Sequence, residues 1–316
     1  MSYADKVFKE TCLDILNNGT DTSKQNVRPK WEDGTPAYTI KKFGVVNRYD
    51  LRKEFPAITL RRTALKSAMD EILWIYQKKS NNIHKLNSHI WDQWADKDGK
   101  IGKAYGYQVG STFVHHGEKS DSNDFYNNNP NHKEIYPSSY VCYNNDDDKP
   151  DYVILDQMDA VLYDLKNVPF SRRIMISLWN VNELHEMNLQ PCCWSVIFNV
   201  TDEGKDKLVL NMILNQRSQD MLVANNWNVA QYSILLMMVA QSCGMEAGEL
   251  VHIITDAHIY DRHVPMIKEL LNREEFPAPK VSLNPNVTNF YDFTTDDLIV
   301  EDYVTGEQIK NIPVAI

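Results

Sequence analysis

Residues 194–216, WSVIFNVTDEGKDKLVLNMILNQ, decide the fold class of this chain. Two runs rich in apolar residues, 194–200 and 207–216, flank the turn sequence TDEGKD, and this arrangement predicts a pair of strands. Further along, residues 229–243 are apolar on nearly every side and stop at Gly244, which predicts a buried helix with a glycine C-cap. The segment therefore combines strands and buried helix in one fold.

The same periodicities continue outward from this segment. The apolar stripe of a helix predicted at 63–79 consists of Leu65, Ala68, Met69, Ile72, Leu73 and Tyr76. Residues 172–179 and 250–254 predict strands, and residues 263–272 predict another helix. Because helices and strands are interspersed, we expect an α/β or α+β fold with a mixed β-sheet.

The stretch from about 110 to 150 is the most polar part of the chain, with NDFYNNNPNH and YNNDDDKPD. Such tracts bury little surface, so we expect a polar surface insertion within a single domain that spans residues 1–316. A hinge between two domains is the alternative, because loops of this length are uncommon inside compact domains.

The composition of the chain argues against several classes of protein. The net charge of −10 argues against nucleic acid as the main ligand. No run approaches the roughly 20 apolar residues that a membrane span needs, and the polar start Met-Ser-Tyr-Ala-Asp-Lys argues against a secretory signal. Five cysteines without a CxxC pair fit free thiols in a reducing compartment. We expect a cytoplasmic protein.

Cys192 is the candidate nucleophile. It lies in NLQPCCW, after a proline and before a strand, at an element terminus where a thiol can be presented. A lone cysteine more often packs as a small buried hydrophobe. The nearby arginine motifs favour the reactive alternative, because a cationic neighbour lowers a thiol pKa and produces thiolate.

Two arginine motifs are candidate anion sites. Arg217 and Ser218, in NQRSQD, offer a planar bidentate donor and a hydroxyl, as phosphate binding requires. A surface arginine in a polar turn is the equally good alternative. Arg172 and Arg173 follow VPFS, and for a pair at a strand start the solvated interpretation comes first.

Polar residues in TDAHIYDRH, 255–263, alternate after the predicted strand 250–254, so His258 and Tyr260 should point the same way and bind a sugar hydroxyl. A metal site from Asp256, His258 and His263 is disfavoured, because no HExxH or cysteine pair supports it. We expect no metal.

Two further polar residues have an ordinary and a functional interpretation. Asn228 opens the buried helix, where it fits an N-cap. Glu71 flanks the apolar stripe of the first long helix and is either a solvated carboxylate or, if it faces a pocket, a general acid–base.

Eight segments in order resemble the thymidylate synthase family over nearly the whole chain. They are DEILWIYQKKSNNIHKLNSHIWDQWAD, IGKAYGYQ, SRRIMISLWN, LQPCC, NQRSQD, WNVAQY, DAHIYDRH and the terminal PVAI. The resemblance implies a twisted mixed sheet flanked by helices, and a homodimer whose subunits lend each other arginines. It implies a methyltransferase that converts dUMP to dTMP with 5,10-methylenetetrahydrofolate as co-substrate.

The resemblance also implies roles for individual residues. Cys192 would attack carbon-6 of the uracil, Asn228 would read its amide edge, Glu71 would direct proton traffic at its carbonyl, and Tyr105 would assist loss of the carbon-5 proton. The phosphate would be bound by Arg217, Ser218 and Arg28, with Arg172 and Arg173 of the partner subunit. The ribose would be bound by His258 and Tyr260. The folate would be bound by Trp91, Trp94, Asp220 and the terminal Ile316, because the family folds this end over its pocket to exclude water.

Several positions depart from the family pattern: Pro29, Cys193, Ala224, Asn226, Trp227, Gln231 and Thr255. Gln231 stands where serine is common, Trp227 where phenylalanine is usual, and Ala224 where glycine is usual, so the added Cβ could crowd the folate or shift the backbone. Two alternatives remain: a deoxyuridylate hydroxymethylase, in which water captures the intermediate, and a nucleotide-binding homologue without catalysis. The PVAI end favours the synthase over the hydroxymethylase.

Overall fold

The structure is a computed structural model that describes residues 1–116, 125, 127–142 and 152–315. Its α-helices are α1 Tyr3–Asn18, α2 Leu65–Ile72, α3 Gly106–Val109, α4 His132–Ile135, α5 Gln157–Asn167, α6 Asn225–Ser242 and α7 Val264–Leu271. Among the described residues, no helix is both long enough and apolar enough to cross a membrane.

The strands are β1 Thr20–Asp21, β2 Thr39–Asp50, β3 Thr112–His116, β4 Tyr140–Cys142, β5 Tyr152–Asp156, β6 Met175–Ser177, β7 Cys193–Thr201, β8 Val209–Gln216, β9 Gln219–Asp220, β10 Glu246–Tyr260, β11 Lys280–Leu283 and β12 Leu298–Glu301. The main sheet has the order β1-β2-β10-β8-β7-β6, and β9 pairs with β10. Because β10 is parallel to β8 and antiparallel to β2, the sheet is mixed, as expected. The strand pair predicted from residues 194–216 is confirmed as the antiparallel pair β7 and β8.

The two faces of the main sheet differ in burial. Buried and half-buried residues alternate along most of β8, so one face packs into the core and the other stays partly open. On the open face, the strand register places apolar residues side by side across four strands: Met175, Ile197, Ile213 and Val251. Val46 on β2 is 54% exposed and Met175 is 44% exposed. An apolar row of this length on an open sheet face is typical of a surface that packs against a partner.

Helix α6 confirms the predicted buried helix. It begins at Asn225, four residues earlier than predicted, and ends at Ser242. Gly244 follows with φ +69°, the left-handed conformation that glycine adopts without a Cβ clash. The six stripe residues predicted for the first long helix are all buried. They lie on α2 and on the π-helical turn Leu73–Gln77 that continues it.

Two strand predictions were wrong in extent. The run 172–179 forms a strand only at β6, because its two arginines are exposed and only its middle pairs with β7. The strand predicted at 250–254 extends from Glu246 to Tyr260, because β2 pairs with it over nearly its whole length. His258 and Tyr260 therefore lie within a strand and not after one.

Part of the polar stretch 110–150 forms ordered structure. Strands β3 and β4 pair on either side of β5 in a second sheet. Phe125 and Tyr136 are buried against Tyr163, with ring centroids 5.0 and 5.7 Å away. The remainder of the predicted insertion, residues 117–124, 126 and 143–150, lies outside the described residues.

Candidate active site

The ends of the central strands bring most of the candidate residues to one edge of the main sheet. Cys192 immediately precedes β7 and Arg217 immediately follows β8, and the Arg217 amide donates to the Cys192 carbonyl at 2.9 Å. Strand β9 pairs with β10, so Asp220 lies opposite His258 in register. Antiparallel pairing thus places the candidate nucleophile beside the candidate phosphate ligand.

The Cys192 thiol is protonated in the free site. Burial raises the pKa of this thiol, and the charge of Arg217 and a hydrogen bond with Tyr105 lower it without overcoming burial. Arg217 therefore acts on the thiol pKa in the predicted direction, but within the single subunit burial outweighs it. Cys193 is fully buried, and burial raises the pKa of its thiol well above the ordinary value. Cys192 is half-buried, so it is the more accessible thiol of the pair.

Tyr105 holds the backbone beside Cys192. Its hydroxyl accepts a hydrogen bond from the Cys192 amide at 3.1 Å. Its ring packs edge-on against Trp91 with centroids 4.9 Å apart, and Trp94 packs on Trp91 at 5.5 Å. Tyr105 has φ +47°, a strained conformation for a residue with a Cβ, and such strain concentrates at functional sites. Burial raises the pKa of its hydroxyl well above the ordinary value, so the group is neutral.

Arg217 is fixed by carbonyls that precede Cys192. Its Nε donates to the Pro191 carbonyl at 3.0 Å, and its Nη2 donates to the Gln190 carbonyl at 2.7 Å. These bonds use only part of the five-donor guanidinium fork, so other N–H groups remain for an anion. Ser218, the next residue, is half-buried. This arrangement fits the phosphate-site interpretation better than a solvated arginine.

Asn228 lies within α6 and not at its N-cap. Its amide donates to the Ala224 carbonyl at 2.8 Å, as in a helix that has already begun. Its side chain lies between two glutamines: Gln216 Nε2 donates to Asn228 Oδ1 at 3.2 Å, and Asn228 Nδ2 donates to Gln231 Oε1 at 3.0 Å. The N-cap interpretation is therefore wrong, and the amide is held in one orientation.

Glu71 is buried, with only 5% of its surface exposed, so the solvated-carboxylate interpretation is wrong. Trp227 Nε1 donates to its Oε2 at 2.9 Å. Burial raises the pKa of Glu71 to about 6, against hydrogen bonds that lower it. A carboxyl that titrates near neutral pH is suited to general acid–base catalysis.

His258 and Tyr260 point the same way, as predicted, with ring centroids 5.0 Å apart. His258 Nδ1 bonds Asp256 Oδ1 at 2.9 Å, which orients the imidazole. Burial raises the pKa of Tyr260 to about 12; the charges of Asp220 and Cys192 add to this effect and that of Arg28 opposes it.

Asp220 is linked to the C-terminal segment through His263. The buried His263 Nδ1 lies 3.6 Å from Asp220 Oδ1, and its Nε2 bonds the Pro313 carbonyl at 2.8 Å. Burial opposes ionisation of Asp220, but His263 and backbone N–H groups lower its pKa below the ordinary value. The predicted folate ligand is therefore an anion beside the terminal segment. Ile316 itself lies outside the described residues.

Arg172 and Arg173 do not join this site within one subunit. Both are exposed. Arg173 lines a surface cavity that also involves Phe113 and Asp164, whereas the contacts of Cys192 are to Tyr105 and Arg217. Their predicted role requires a second subunit.

Of the three metal candidates, Asp256 bonds His258 and Lys41, and His263 faces Asp220 and the Pro313 carbonyl. In the part of the chain that the structure describes, no group of three or more His, Cys, Asp or Glu could hold a metal ion.

Sequence reasoning missed four residues that hold the site together. Gln216, Trp227, Gln231 and His263 all lie in quoted motifs, but only their neighbours were given catalytic or binding roles. Trp227 and Gln231 depart from the family pattern, and this difference is the feature of the sequence that could have identified them as site residues. Their contacts reach across helices and strands, so local spacing could not reveal them.

Comparisons with known proteins agree along the chain. A family model described as thymidylate synthase matches residues 6–316. Thymidylate synthase 1 of Bacillus spizizenii is 38% identical over 313 residues, which cover 98% of each chain. Thymidylate synthase of Bacillus phage phi3T is 37% identical with the same coverage. The solved structure of thermostable thymidylate synthase A from Bacillus subtilis aligns with a TM-score of 0.80, 37% identity and 99% coverage of both chains.

Proposed function

Because this chain belongs to the thymidylate synthase family, we propose that Cys192 is the nucleophile with which it converts dUMP to dTMP. The family's enzymes are homodimeric methyltransferases that use dUMP and 5,10-methylenetetrahydrofolate. The observation that carries the assignment is the position of Cys192, half-buried between Tyr105 and the anchored Arg217.

Nucleotide binding follows from the groups at the sheet edge. Arg217 and Ser218 bind the phosphate with Arg28, and Arg172 and Arg173 of the partner subunit complete the cluster. His258, oriented by Asp256, and Tyr260 bind the ribose hydroxyl. Asn228 reads the uracil amide edge, because its amide offers one acceptor and one donor side by side.

The thiol must lose its proton as the sulfur–carbon bond forms, because the free Cys192 is protonated. The sulfur electron pair bonds to carbon-6, and the ring electrons move onto the carbonyl oxygen, where a proton donor is needed. Glu71, with a pKa of about 6, directs proton transfer to and from that oxygen. Tyr105, fixed beside the thiol, assists loss of the carbon-5 proton.

The folate side of the site fits its co-substrate. Methylenetetrahydrofolate supplies the one-carbon unit and the hydride when it is bound. Asp220, an anion, accepts from a pterin N–H, and Trp91 and Trp94 provide apolar contact. Asn225 Oδ1 and Asn226 Nδ2, near Asp220 in the sequence, are buried and have no hydrogen-bond partner within the described ranges, which fits a polar ligand. Ala224 has a φ of −103°, which any residue adopts, so the added Cβ does not strain the backbone at this position.

The homodimer places a second subunit on the open face of the main sheet. The apolar row from Met175 to Val251 supports this face as the interface. When the two subunits pack this row against each other, the exposed Arg172 and Arg173, which precede β6, come close to the partner's site.

The terminal segment favours the synthase over a hydroxymethylase. Gly306 donates to the Thr59 carbonyl at 2.8 Å, and Pro313 bonds His263. The segment thus lies beside Asp220, where it helps to exclude water, and Ile316 remains a proposed folate-binding residue. We keep a single domain and a cytoplasmic location as further proposals, the latter supported by five free cysteines.

The test is a product assay with dUMP and methylenetetrahydrofolate. We expect dTMP and dihydrofolate from the wild type, and no product from Cys192→Ser although it still binds dUMP. Hydroxymethyl-dUMP with tetrahydrofolate would instead identify the hydroxymethylase. Near-wild-type turnover by Cys192→Ser would refute the nucleophile assignment, and tight nucleotide binding by an inactive wild type would support the non-catalytic homologue.

A further inference from the structure

A backbone carbonyl fixes the orientation of the Gln216 side chain. Gln216 Nε2 donates to the Ser218 carbonyl at 2.9 Å, and a carbonyl can only accept. The amide oxygen of Gln216 must therefore point the other way. There it meets His252 Nε2 at 2.7 Å, so this nitrogen must carry a proton.

His252 supplies that proton as a neutral donor. It is completely buried, and burial lowers the pKa of its imidazole to about 3. Its other nitrogen, Nδ1, is buried and has no hydrogen-bond partner in the described part of the chain, as expected for the unprotonated position of a neutral ring. His252 and the Ser218 carbonyl together leave Gln216 one allowed orientation.

The orientation of Gln216 determines that of Asn228. Because the Gln216 NH2 group also donates to Asn228 Oδ1 at 3.2 Å, the Asn228 NH2 group must face Gln231, whose Oε1 accepts it at 3.0 Å. One lone pair of Oδ1 and one hydrogen of Nδ2 remain for a ligand. This orientation suits uracil, which offers an N–H and a carbonyl oxygen, whereas cytosine offers an acceptor nitrogen and an amino group.

The remaining end of Gln231 faces Glu71. Since Gln231 Oε1 is used by Asn228, its NH2 group points onward. Nε2 is buried and has no partner within hydrogen-bonding distance among the residues that the structure describes. Glu71 is the carboxyl whose pKa this amide lowers. Gln231 therefore lies between the residue assigned to read uracil and the residue assigned to move its protons.

We infer that Gln231 is a positioning residue: it ends a chain of hydrogen bonds that starts at His252 and fixes the Asn228 amide for uracil, and its own NH2 group is left to act on Glu71. The inference rests on the proposed function. All donors in the chain point the same way, from His252 toward Gln231, and aligned hydrogen bonds of this kind strengthen one another. A serine, the common residue at position 231 in the family, is too short to span both neighbours.

Several other groups act on Glu71 and enter any interpretation of its titration. Trp227 donates to it from α6, and Trp91 faces it from the loop after the π-helical turn. Its titratable neighbours are Asp70 on its own helix, Tyr105 and Cys193. None of these residues changes in the variants below.

Two variants separate the two functions of Gln231. Gln231→Met has nearly the same shape but cannot accept from Asn228 and places no amide NH2 group beside Glu71. Gln231→Glu keeps the acceptor for Asn228 and replaces the donor with a second carboxyl. Ser233→Ala is the matched control, because Ser233 is buried on the same helix and its hydroxyl donates to the Val229 carbonyl of that helix. Thermal unfolding checks that each variant folds.

The assay measures kcat/KM for dUMP and dCMP from pH 5 to pH 9. For Gln231→Met we expect the ratio of dCMP to dUMP activity to rise about tenfold, the effect of one lost hydrogen bond. The inflection that belongs to Glu71, identified by its absence in Glu71→Gln, should move to higher pH. For Gln231→Glu we expect the uracil preference to persist while the inflection still moves upward. Ser233→Ala should change neither quantity.

The inference is overturned if Gln231→Met leaves both the ratio of dCMP to dUMP activity and the Glu71 inflection unchanged. If Gln231→Met does not fold, an unmoved Glu71 inflection in Gln231→Glu overturns it instead. A uniform loss of kcat with neither effect would mean that Gln231 is merely structural. Wild-type protein that forms no dTMP would refute the proposed function itself, so the two failures are distinguishable.

Discussion

Replacing Glu71 with glutamine should make the protein more stable at neutral pH while it loses activity. Burial raises the pKa of Glu71 from its ordinary 4.5 to about 6, so ionisation of this carboxyl opposes folding. The difference corresponds to about 2 kcal/mol. Because the pKa in the folded state is the higher one, this destabilisation is absent at pH values below 4.5 and complete above about 6. Glutamine stays neutral and keeps an oxygen for Trp227.

The assay is urea unfolding of wild type and Glu71→Gln at pH 7.5 and at pH 4, at one protein concentration, because dimerisation couples stability to concentration. We expect the variant to be more stable by about 2 kcal/mol at pH 7.5 and equal to wild type at pH 4. The rate of dTMP formation should fall strongly, because the proton route at the ring carbonyl is lost. Ser233→Ala, measured alongside, controls for a change of one buried polar group.

A variant that is less stable than wild type at pH 7.5, or a difference that does not depend on pH, would refute this reasoning. Either result would mean that Glu71 is stabilised as a carboxylate by its neighbours and does not titrate near pH 6.

Two further predictions concern substrate choice and the dimer. Asn228→Asp should shift preference from dUMP toward dCMP, because a carboxylic edge suits the amino group of cytosine; unchanged ratios of kcat/KM for the two nucleotides would count against the role of Asn228. The double variant with Arg172→Ala and Arg173→Ala should be inactive alone, and so should Cys192→Ser. Activity should return when their subunits are mixed, because one site of the mixed dimer then combines an intact Cys192 with the partner's intact arginines. Mixtures that stay inactive after confirmed subunit exchange would contradict donation of arginines across the interface.

Local patterns predicted the elements that depend on local periodicity. The strand pair at 194–216 and helix α6 were predictable because each buries a face set by its own residue spacing. The extent of β10 was not, because its polar end, DAHIY, becomes a strand only through pairing with β2 and β9. The length of β6 likewise depends on a distant partner.

The residues of the candidate site could be predicted from the sequence, but their protonation states and long-range contacts could not. The resemblance supplied Cys192, Arg217 and Asn228, and the fold brings them to one sheet edge. The protonation of Cys192 depends on burial by the whole fold, which outweighs the one arginine that the sequence suggested. The contact of Trp227 with Glu71 joins residues 156 positions apart, beyond the reach of any local pattern.

Covalent trapping is the most direct measurement of whether the Cys192 sulfur bonds to the pyrimidine ring. In 5-fluoro-dUMP, fluorine replaces the carbon-5 hydrogen that must leave, so the bonded complex with methylenetetrahydrofolate should persist through denaturation. Mass spectrometry with fragmentation between Cys192 and Cys193 should then assign the nucleotide to Cys192. An adduct on Cys193 or another cysteine, or no adduct from protein that forms dTMP, would contradict the mechanism.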